Sequence, residues 1–427
     1  MHWAALTPGS SIAAMSSADF RRVFAAEVVS TFGSLMSRLA IPWLAVLVLK
    51  AEPTAMAWLA MADVAAGALA ALLLGALVDR WPKRRTMIGA DLLRAAMLAT
   101  VPLMAYFGTL TIGWLVVVVA VNGALTVAFE LAQSAWIARS TAQADLTQRN
   151  SALAAGGAVT EAASFGITGW LFQWLGAIVV MVLDALTYLA SALMLAKISE
   201  PPPLADETGA IATPRDRLRA LVTEVQAGLR ATAVEPVLRA LAVVATLTSF
   251  AMAFASTTYM IYVARDIGFE TGVLGVLFAL GGLGSLAGSW LTARMAGRID
   301  ARAWLAGSLA LWAVGSVATP VATTAALAGL LLIATQQIVG DAGAMAYHIC
   351  DRTLRQTHAA PALLARVDAS VRTLGYSATL VGALVSGVLA EQFGARALLF
   401  ASSALLALAA LAAALLLRSA PASEPAL

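Results

Sequence analysis

The chain has 427 residues, of which 61% are hydrophobic and only 12% are charged, and its formal net charge is +3. The charged share is about half that of an ordinary globular protein, and the mean hydropathy of +0.85 is too high for a water-exposed surface. The composition excludes a secreted disulfide scaffold, a nucleic-acid binder and most soluble enzymes. It indicates a polytopic membrane protein, in which the single cysteine, Cys350, cannot form an internal disulfide.

Apolar stretches long enough to cross a bilayer recur along the whole chain. A membrane-spanning helix needs roughly 20 apolar residues, and an open strand edge in lipid would leave its backbone groups unpaired. The sequence therefore predicts an all-α membrane protein with twelve transmembrane helices. The predicted spans are 24–49, 55–78, 86–107, 112–137, 151–175, 177–197, 238–264, 270–294, 302–319, 323–347, 366–391 and 394–417.

The positive charges predict the orientation of these spans. Of the 27 lysines and arginines, only Lys50, Arg265 and Arg396 fall in one set of alternate loops. Most of the others lie in the N-terminal tail, the remaining loops and the C-terminus. Because positive residues stay on the cytoplasmic side, both termini are expected in the cytoplasm and the spans in the plasma (inner) membrane.

The longest polar stretch, residues 199–237, separates two sets of six spans. It begins with three prolines from Pro201, and a basic segment follows at about 214–233, which is predicted to form an amphipathic helix along the membrane surface. We interpret the stretch as a cytoplasmic linker. The predicted divisions are a cytoplasmic tail at 1–19, six-helix bundles at 20–198 and 238–418 on either side of the linker, and a second tail at 419–427.

The two sets of spans repeat one another in sequence. A shift of 218 residues superimposes Gly169 on Gly387, Gln173 on Glu391 and Gly176 on Gly394. Two pseudo-symmetric six-helix bundles are the arrangement expected of a secondary transporter, with its binding site near the middle of the membrane.

Polar side chains recur at helical spacing inside several spans. Glu27, Thr31, Ser34 and Arg38 follow one face of the first span, and similar stripes occur in the fourth and tenth. An ionisable group at mid-bilayer costs about 2.5–3.5 kcal/mol on insertion scales, so these faces are expected to line either a water-filled cavity or a contact between helices. The candidates for lining a cavity are Arg38, Trp43, Asn122, Gln133, Tyr259, Gln337, Tyr347 and His348.

No catalytic or metal-binding pattern is present in the sequence. The glycine-rich run from Gly281 to Gly288 lacks the Lys-Ser/Thr of a P-loop and is more typical of close helix packing. The three histidines are too far apart in the chain to indicate a metal site. We therefore expect no enzyme, no catalytic residues, no metal and no cofactor.

The loop after the second span carries a family signature. It contains Gly75, then Asp79 and Arg80, and then the basic residues Lys83 and Arg84. This pattern resembles the signature of the major facilitator superfamily. Further matches resemble the drug- and siderophore-exporter branch, with macrolide- and enterobactin-exporter-like proteins. They are Ser30 to Gly33, Asp91 to Arg94, Asn150, Asp184 to Tyr188, Arg366 to Tyr376, Gly394 and Arg396.

The resemblance covers about residues 20–418 and implies proton-coupled export of small amphipathic molecules by alternating access. Such coupling needs a carboxyl group that takes up a proton on one side of the membrane and releases it on the other. The candidates are Asp63, Glu161, Asp341 and Glu130. The resemblance also implies a cytoplasmic gate, in which basic residues of the signature loop pair with acids. Its residues are Gly75, Asp79, Arg80, Lys83 and Arg84, with Asp91 and Asp368 as the acids.

Other functions remain open at this point. The protein could import a metabolite, or move one without protons, and the basic loop residues could serve only to set topology. A non-transporting membrane sensor is the other class, but a sensor would normally carry a soluble domain, and no stretch of useful size exists. The expected partners are a small-molecule substrate, protons and the lipid bilayer, with no nucleic acid, and the expected state is a monomer.

Overall fold

The computed structural model describes residues 18–78, 81–141, 145–201, 223, 226–360 and 363–419. Within these residues all regular structure is helical, as the apolar runs predict. Among them, eleven continuous segments are long and apolar enough to cross a membrane, and one of these, Gln148–Leu195, contains two spans. The described part of the chain is therefore all-α and multi-pass, and it holds twelve helical spans once the long segment is divided at Gly176.

The helices of the first half are α1 to α6. They are α1 (Ala18–Trp43, extended by a π-helical turn at Leu44–Val48), α2 (Pro53–Val78), α3 (Lys83–Tyr106) and α4 (Ile112–Ser140). Leu146–Leu195 is helical except at Gly176, whose φ of 78° and ψ of 167° end one helix and begin the next. This segment therefore holds α5 (146–175) and α6 (177–195).

The helices of the second half are α7 to α12. They are α7 (Pro236–Met260, with a π-helical turn at Ile261–Asp266), α8 (Thr271–Met295), α9 (Ala301–Val321), α11 (Leu364–Phe393) and α12 (Ala395–Ser419). Between them, α10 runs from Leu327–Thr335 through a π-helical turn at Gln336–Gly340 to Asp341–His358, well past its predicted end.

Polar residues in the short loops define several helix starts. The Thr111 side chain accepts a hydrogen bond from the backbone N–H of Trp114 at the start of α4. The Asp300 side chain accepts from two backbone N–H groups at the start of α9. The first N–H groups of a helix have no partner within it, so these side chains satisfy groups that would otherwise be left unpaired.

The helices form two compact units that do not follow the sequence halves completely. Unit 1 contains the described residues of 1–49, 65–210 and 271–276, and unit 2 those of 50–64, 211–270 and 277–427. Each unit has its own apolar core. Val23, Met87, Ala132 and Trp136 are among the core residues of unit 1, and Leu241, Leu309, Cys350 and Leu406 are among those of unit 2.

The backbone repeats where the sequence does. Gly394, between α11 and α12, has a φ of 80° and a ψ of 157°, nearly the values of Gly176 between α5 and α6. Positive φ is accessible to glycine without a steric penalty, so both short connections depend on that residue type. In addition, α1 and α7 both end in a π-helical turn.

Part of the linker is helical and packs on unit 2. Residues 226–234 form a helix, and a Cβ on Gly228 would collide with the backbone oxygen of Arg366 in α11. The described end of the predicted amphipathic helix therefore lies against α11. Residues 202–222, which include most of that prediction, lie outside the described residues.

Candidate functional site

A polar face joins α1 and α4 in unit 1. The Glu27 carboxylate accepts hydrogen bonds from the Gln133 amide at 2.7 Å and from the Thr31 hydroxyl at 3.2 Å. Glu130 lies one turn before Gln133 on α4 and is exposed, as is Arg38 on α1. The Asn122 amide bonds within α4, to the backbone oxygen of Val118. The structure thus brings together the polar faces predicted for α1 and α4. Two of their charged side chains, those of Arg38 and Glu130, are exposed.

Behind this face lies a buried ion pair. Arg94 and Asp91, both on α3, form a salt bridge, and their side chains are 2% and 0% exposed. The guanidinium carbon of Arg94 lies 4.7 Å from the ring centroid of Phe129 and 4.4 Å from that of Tyr188. Aromatic rings stabilise a cation at such distances, so α4 and α6 both hold Arg94.

Asp184 of α6 lies in the same interior. Its carboxylate accepts hydrogen bonds from the hydroxyls of Ser37 and Thr187, the latter at 3.3 Å. A Cβ on Gly33 would collide with the Asp184 carboxylate and the Thr187 hydroxyl, so a glycine is required where α6 meets α1. Asp184 to Tyr188 is one of the segments that resemble the exporter branch. Neither the composition nor the spacing of polar residues, however, assigned a role to Asp184.

In unit 2 the polar candidates gather at the π-helical turn of α10. Asp341 immediately follows the turn, is half-buried and forms no ion pair with any described residue. A Cβ on Gly281 of α8 would collide with the Asp341 carboxylate, so that carboxylate occupies a notch in α8. The Tyr259 hydroxyl of α7 donates to the Gln336 side-chain oxygen at 3.5 Å. Such turns are frequent at functional sites, because they shift side chains out of helical register.

The π-helical turn separates residues that the sequence placed on one face. Gln337 is buried, Asp341 is half-buried and His348 is exposed. The ring of His348 packs 5.0 Å from that of Tyr347, between ring centroids. The three residues therefore differ in exposure, and their placement on one polar face of α10 stays a prediction.

Two aromatic candidates belong to the cores. Trp43 is fully buried and packs edge-on against Phe172, with ring centroids 5.1 Å apart. Tyr347 is 2% exposed, and its hydroxyl lies 3.3 Å from that of Thr248. In this structure neither offers a face to a ligand, which corrects the expectation that they line a cavity.

The remaining proton-site candidates lie on the surfaces of their helices. Asp63 on α2 and Glu161 on α5 are both exposed. Neither forms a salt bridge with a described residue. Both carboxyl groups are expected to face water, because an ionised side chain that faces lipid is costly.

The signature loop is described only in part. Gly75 lies in α2, whereas Asp79 and Arg80 lie outside the described residues. The Lys83 ammonium donates to the backbone oxygens of Val78 and Trp81, at 2.6 and 3.1 Å. These bonds tie the start of α3 to the end of α2.

The acids expected at the gate pair with other arginines. Asp91 pairs with Arg94, as described above, and Asp368 pairs with Arg355 at 2.7 Å. Arg355 also bonds Asp351 at 2.6 Å, and so joins α10 to α11. The backbone N–H of Arg84 donates to Glu200, at 3.1 and 3.3 Å to its two carboxylate oxygens. The gate role of these residues stays a prediction, with partners different from those expected.

Two contacts repeat at equivalent places in the fold, and each lies within one unit. In unit 1, a Cβ on Gly169 of α5 would collide with the backbone of Thr271 and Gly275 in the first turn of α8, and the Gln173 side-chain oxygen accepts from the N–H of Gly272 at 2.8 Å. We call this the α5–α8 contact.

In unit 2 the equivalent is the α2–α11 contact. A Cβ on Gly387 of α11 would collide with the Cβ of Ala57, in the first turns of α2. The Thr54 hydroxyl donates to the Glu391 carboxylate at 2.6 Å. The 218-residue shift, read from sequence alone, therefore matches glycines and polar residues that make corresponding contacts.

Metal ligands do not cluster in the described part of the chain, where no group of three or more His, Cys, Asp or Glu side chains could hold a metal ion. Unit 1 offers carboxylates, amides and a buried arginine–aspartate ion pair, and unit 2 offers a carboxylate, amides and a tyrosine hydroxyl. Such a set can bind a proton and an organic molecule with polar groups.

Comparison with known proteins identifies the architecture. The family model described as Major Facilitator Superfamily matches residues 23–378. No curated protein matches the sequence.

Similar solved structures include the nucleoside transporter NupG, with 14% identity, a TM-score of 0.71 and coverage of 94% of this chain and 100% of that one. Another is a bacterial homolog of the human lysosomal transporter Spinster in an inward-facing, unoccupied conformation, with 15% identity, a TM-score of 0.69 and coverage of 96% and 100%. A third is an auto-inhibited peptide transporter of the POT family, with 14% identity, a TM-score of 0.70 and coverage of 96% and 99%. At these identities the likeness shows the fold alone.

Proposed function

Because the chain belongs to the Major Facilitator Superfamily of transporters, we propose that it exports small amphipathic molecules in exchange for protons, by alternating access. Drugs, macrolides and siderophores are the substrate classes. The direction follows from the resemblance of its motifs to exporters. The termini would lie in the cytoplasm, as the distribution of positive residues predicts.

The observation that carries the proposal is a set of carboxyl groups inside the spans that form no salt bridge with a described residue. Asp341 is half-buried midway along α10 and has no ion pair with a described residue. Glu130, Asp63 and Glu161 are exposed on α4, α2 and α5. An unpaired intramembrane acid is expensive to insert, and proton relays are among the functions that require one.

Transport in proteoliposomes tests the proposal. Purified protein would be reconstituted, and movement of a macrolide, a catecholate siderophore and an amphipathic dye would be followed under an imposed pH gradient. Accumulation should reverse when the gradient is reversed. A proton-coupled importer would move the substrate in the opposite direction. A facilitator would let the substrate equilibrate whatever the pH gradient. Either result would refute proton-coupled export.

Single neutral replacements then identify the group. Asp341→Asn should abolish gradient-driven transport and leave exchange of substrate across the membrane at zero gradient, because a neutral side chain cannot release a proton. Glu130→Gln, Asp63→Asn and Glu161→Gln are tested in the same way. Glu52→Gln changes an acid in the exposed loop between α1 and α2 and serves as the matched control. Unchanged gradient-driven transport in all four variants would remove these acids as proton carriers.

A further inference from the structure

A groove opens in unit 2 between α7, α11 and the helix of residues 226–234, which we call the linker helix. At one end of the groove the linker helix packs on α11, where a Cβ on Gly228 would collide with the backbone oxygen of Arg366. At the other end α7 and α11 pack on each other, and a Cβ on Gly375 would lie only 3.1 Å from the Ser249 side-chain oxygen. Between these contacts a space of about 400 Å³ remains, which we call the linker groove.

The wall of the linker groove is apolar. The hydroxyls of Thr232 and Thr246 both line it, but each donates to a backbone oxygen of its own helix, Gly228 at 2.8 Å and Ala242 at 2.7 Å respectively. These hydroxyls therefore have no proton left to donate to an occupant. Because a polar molecule would lose hydrogen bonds to water on entering, the wall favours a hydrocarbon chain. Other lining residues are Leu229, Val243, Leu247 and Leu374.

One positive charge lies at the start of this wall. Among the described residues that line the groove, Arg239 alone is charged, and it is exposed and forms no salt bridge with a described residue. Its Nη1 donates to the backbone oxygen of Ala233 at 3.3 Å, which holds the guanidinium at the end of the linker helix. A guanidinium has five N–H donors in a planar arrangement that matches a phosphate group. The donors that remain can bind an anionic headgroup.

The groove lies in the first turns of a membrane span. The candidate span that contains α7 runs from Pro236 to Asp266 and begins on the side that the positive residues predict to be cytoplasmic. From Arg239 to Leu247 the helix rises about 12 Å, and half of the hydrocarbon core of a bilayer is roughly 15 Å thick. The groove therefore has about the depth of one leaflet, with its charge at the surface end and its apolar wall towards the middle. A phospholipid has the same arrangement of charge and hydrocarbon.

We propose that the linker groove binds one anionic phospholipid of the cytoplasmic leaflet. The headgroup phosphate pairs with Arg239, and one acyl chain lies along α7 as far as Leu247 and contacts Leu374 of α11. The cytoplasmic leaflet is the one that carries anionic lipids and attracts basic residues near its surface. The bound chain fills the space beneath the linker helix and so helps to hold that helix on unit 2. This lipid site depends neither on the direction of transport nor on its coupling to protons.

Photocrosslinking of the purified full-length protein in nanodiscs tests the site. The probe is phosphatidylglycerol with a diazirine in its acyl chain, in a background of phosphatidylcholine, and mass spectrometry locates the labelled peptides. We expect labelling at 242–247 and around Leu374, and unlabelled phosphatidylglycerol should suppress it more than added phosphatidylcholine does. No labelling of these segments, or equal suppression by both lipids, would overturn the proposal. Suppression by a macrolide or an amphipathic dye would assign the groove to the transported molecule and would overturn it as well.

Arg239→Gln tests the charge. One arginine near an anionic membrane surface accounts for roughly a fivefold preference, so the preference for phosphatidylglycerol should fall about fivefold. Arg230→Gln is the matched control, because Arg230 is an exposed arginine of the linker helix that does not line the groove. Its preference should equal that of the wild type. Equal losses in the two variants would indicate a general attraction of anionic lipid to the basic surface, and would overturn binding at Arg239.

Val243→Trp tests the apolar wall. Val243 is 42% exposed and lines the groove, so a tryptophan there should occupy the space of the acyl chain and reduce labelling around Leu374 severalfold. Val314→Trp, at a valine of α9 that is 70% exposed and lies outside the groove, should leave labelling unchanged. Thermal unfolding shows whether each variant is folded. Wild-type labelling in a folded Val243→Trp protein would overturn the proposal, and if that variant does not fold, the comparison of Arg239→Gln with Arg230→Gln decides.

Discussion

The α5–α8 contact and the α2–α11 contact occupy equivalent places in the fold but are built differently. In the first, Gly169 meets the backbone of Gly275, and the polar bond joins the neutral Gln173 amide to a backbone N–H. In the second, Gly387 meets the Ala57 side chain, and the polar bond joins Glu391 to the Thr54 hydroxyl. The repeat therefore preserves the close approach of helices, which needs glycine, while the polar chemistry has diverged.

This difference between the two contacts predicts that larger side chains are tolerated less well at Gly169 than at Gly387. Neither α2 nor α8 lies wholly in one unit, since their first turns pack with the unit that holds α11 and α5, respectively. Each contact therefore joins two helices inside one compact unit. Each can be perturbed without changing an ionisable group in the interior.

The largest effect is expected from Gly169→Val. The added side chain would meet backbone atoms of Thr271 and Gly275, which cannot rotate away. Overpacking of this kind typically costs about 1–3 kcal/mol. We expect a lower midpoint of thermal unfolding and a strongly reduced transport rate in proteoliposomes. Gly157→Val, at a position on the same helix with open space around its Cβ, is the control. Equal effects of the two substitutions would contradict the packing explanation.

A smaller effect is expected from Gly387→Ala. Its closest neighbour is the Cβ of Ala57, and backbone atoms of Thr54 and Pro53 lie farther away, so α2 can shift by a fraction of an ångström. The loss of transport should be clearly less than for Gly169→Ala measured in parallel. If Gly387→Ala is the more harmful of this pair, the assigned difference between the contacts is wrong.

The smallest effect is expected from Glu391→Gln, which makes the second contact resemble the first. The glutamine oxygen still accepts from Thr54, so only the charge contribution to the hydrogen bond is lost. At about 1 kcal/mol, this shifts the equilibrium of the contact by roughly fivefold. Thiol labelling of a cysteine introduced at position 55, next to Thr54, would measure that shift. The reciprocal Gln173→Glu variant should strengthen its contact, and a shift of the same sign in the two measurements would refute the comparison.

Much of the architecture was predictable, because membrane spans follow from apolar length alone. The twelve spans, the break at Gly176 and its equivalent Gly394 were all visible in the sequence, since a bilayer leaves few alternatives to a helix of fixed length. The spacing of Glu27 and Gln133 also predicted polar faces, and the structure joins these two side chains.

The site was less predictable, because helical spacing does not fix how a helix is rotated against its neighbours. Trp43 and Tyr347 are large amphipathic residues near polar stripes, yet both are turned into the cores. The π-helical turn before Asp341 changes the register of α10, and no local sequence pattern predicted this turn. The surroundings of Asp184 could not be predicted, because they depend on the packing of α6 against Gly33 of α1, and these residues are far apart in the chain.

The position of the lone thiol makes this protein convenient for labelling studies. Cys350 is the only cysteine in the chain and is 4% exposed within the core of unit 2. A buried thiol reacts slowly with maleimides, because the reactive thiolate needs solvent. Fluorophores or spin labels attached to newly introduced surface cysteines can therefore report motion in the otherwise native sequence, without first replacing a core residue.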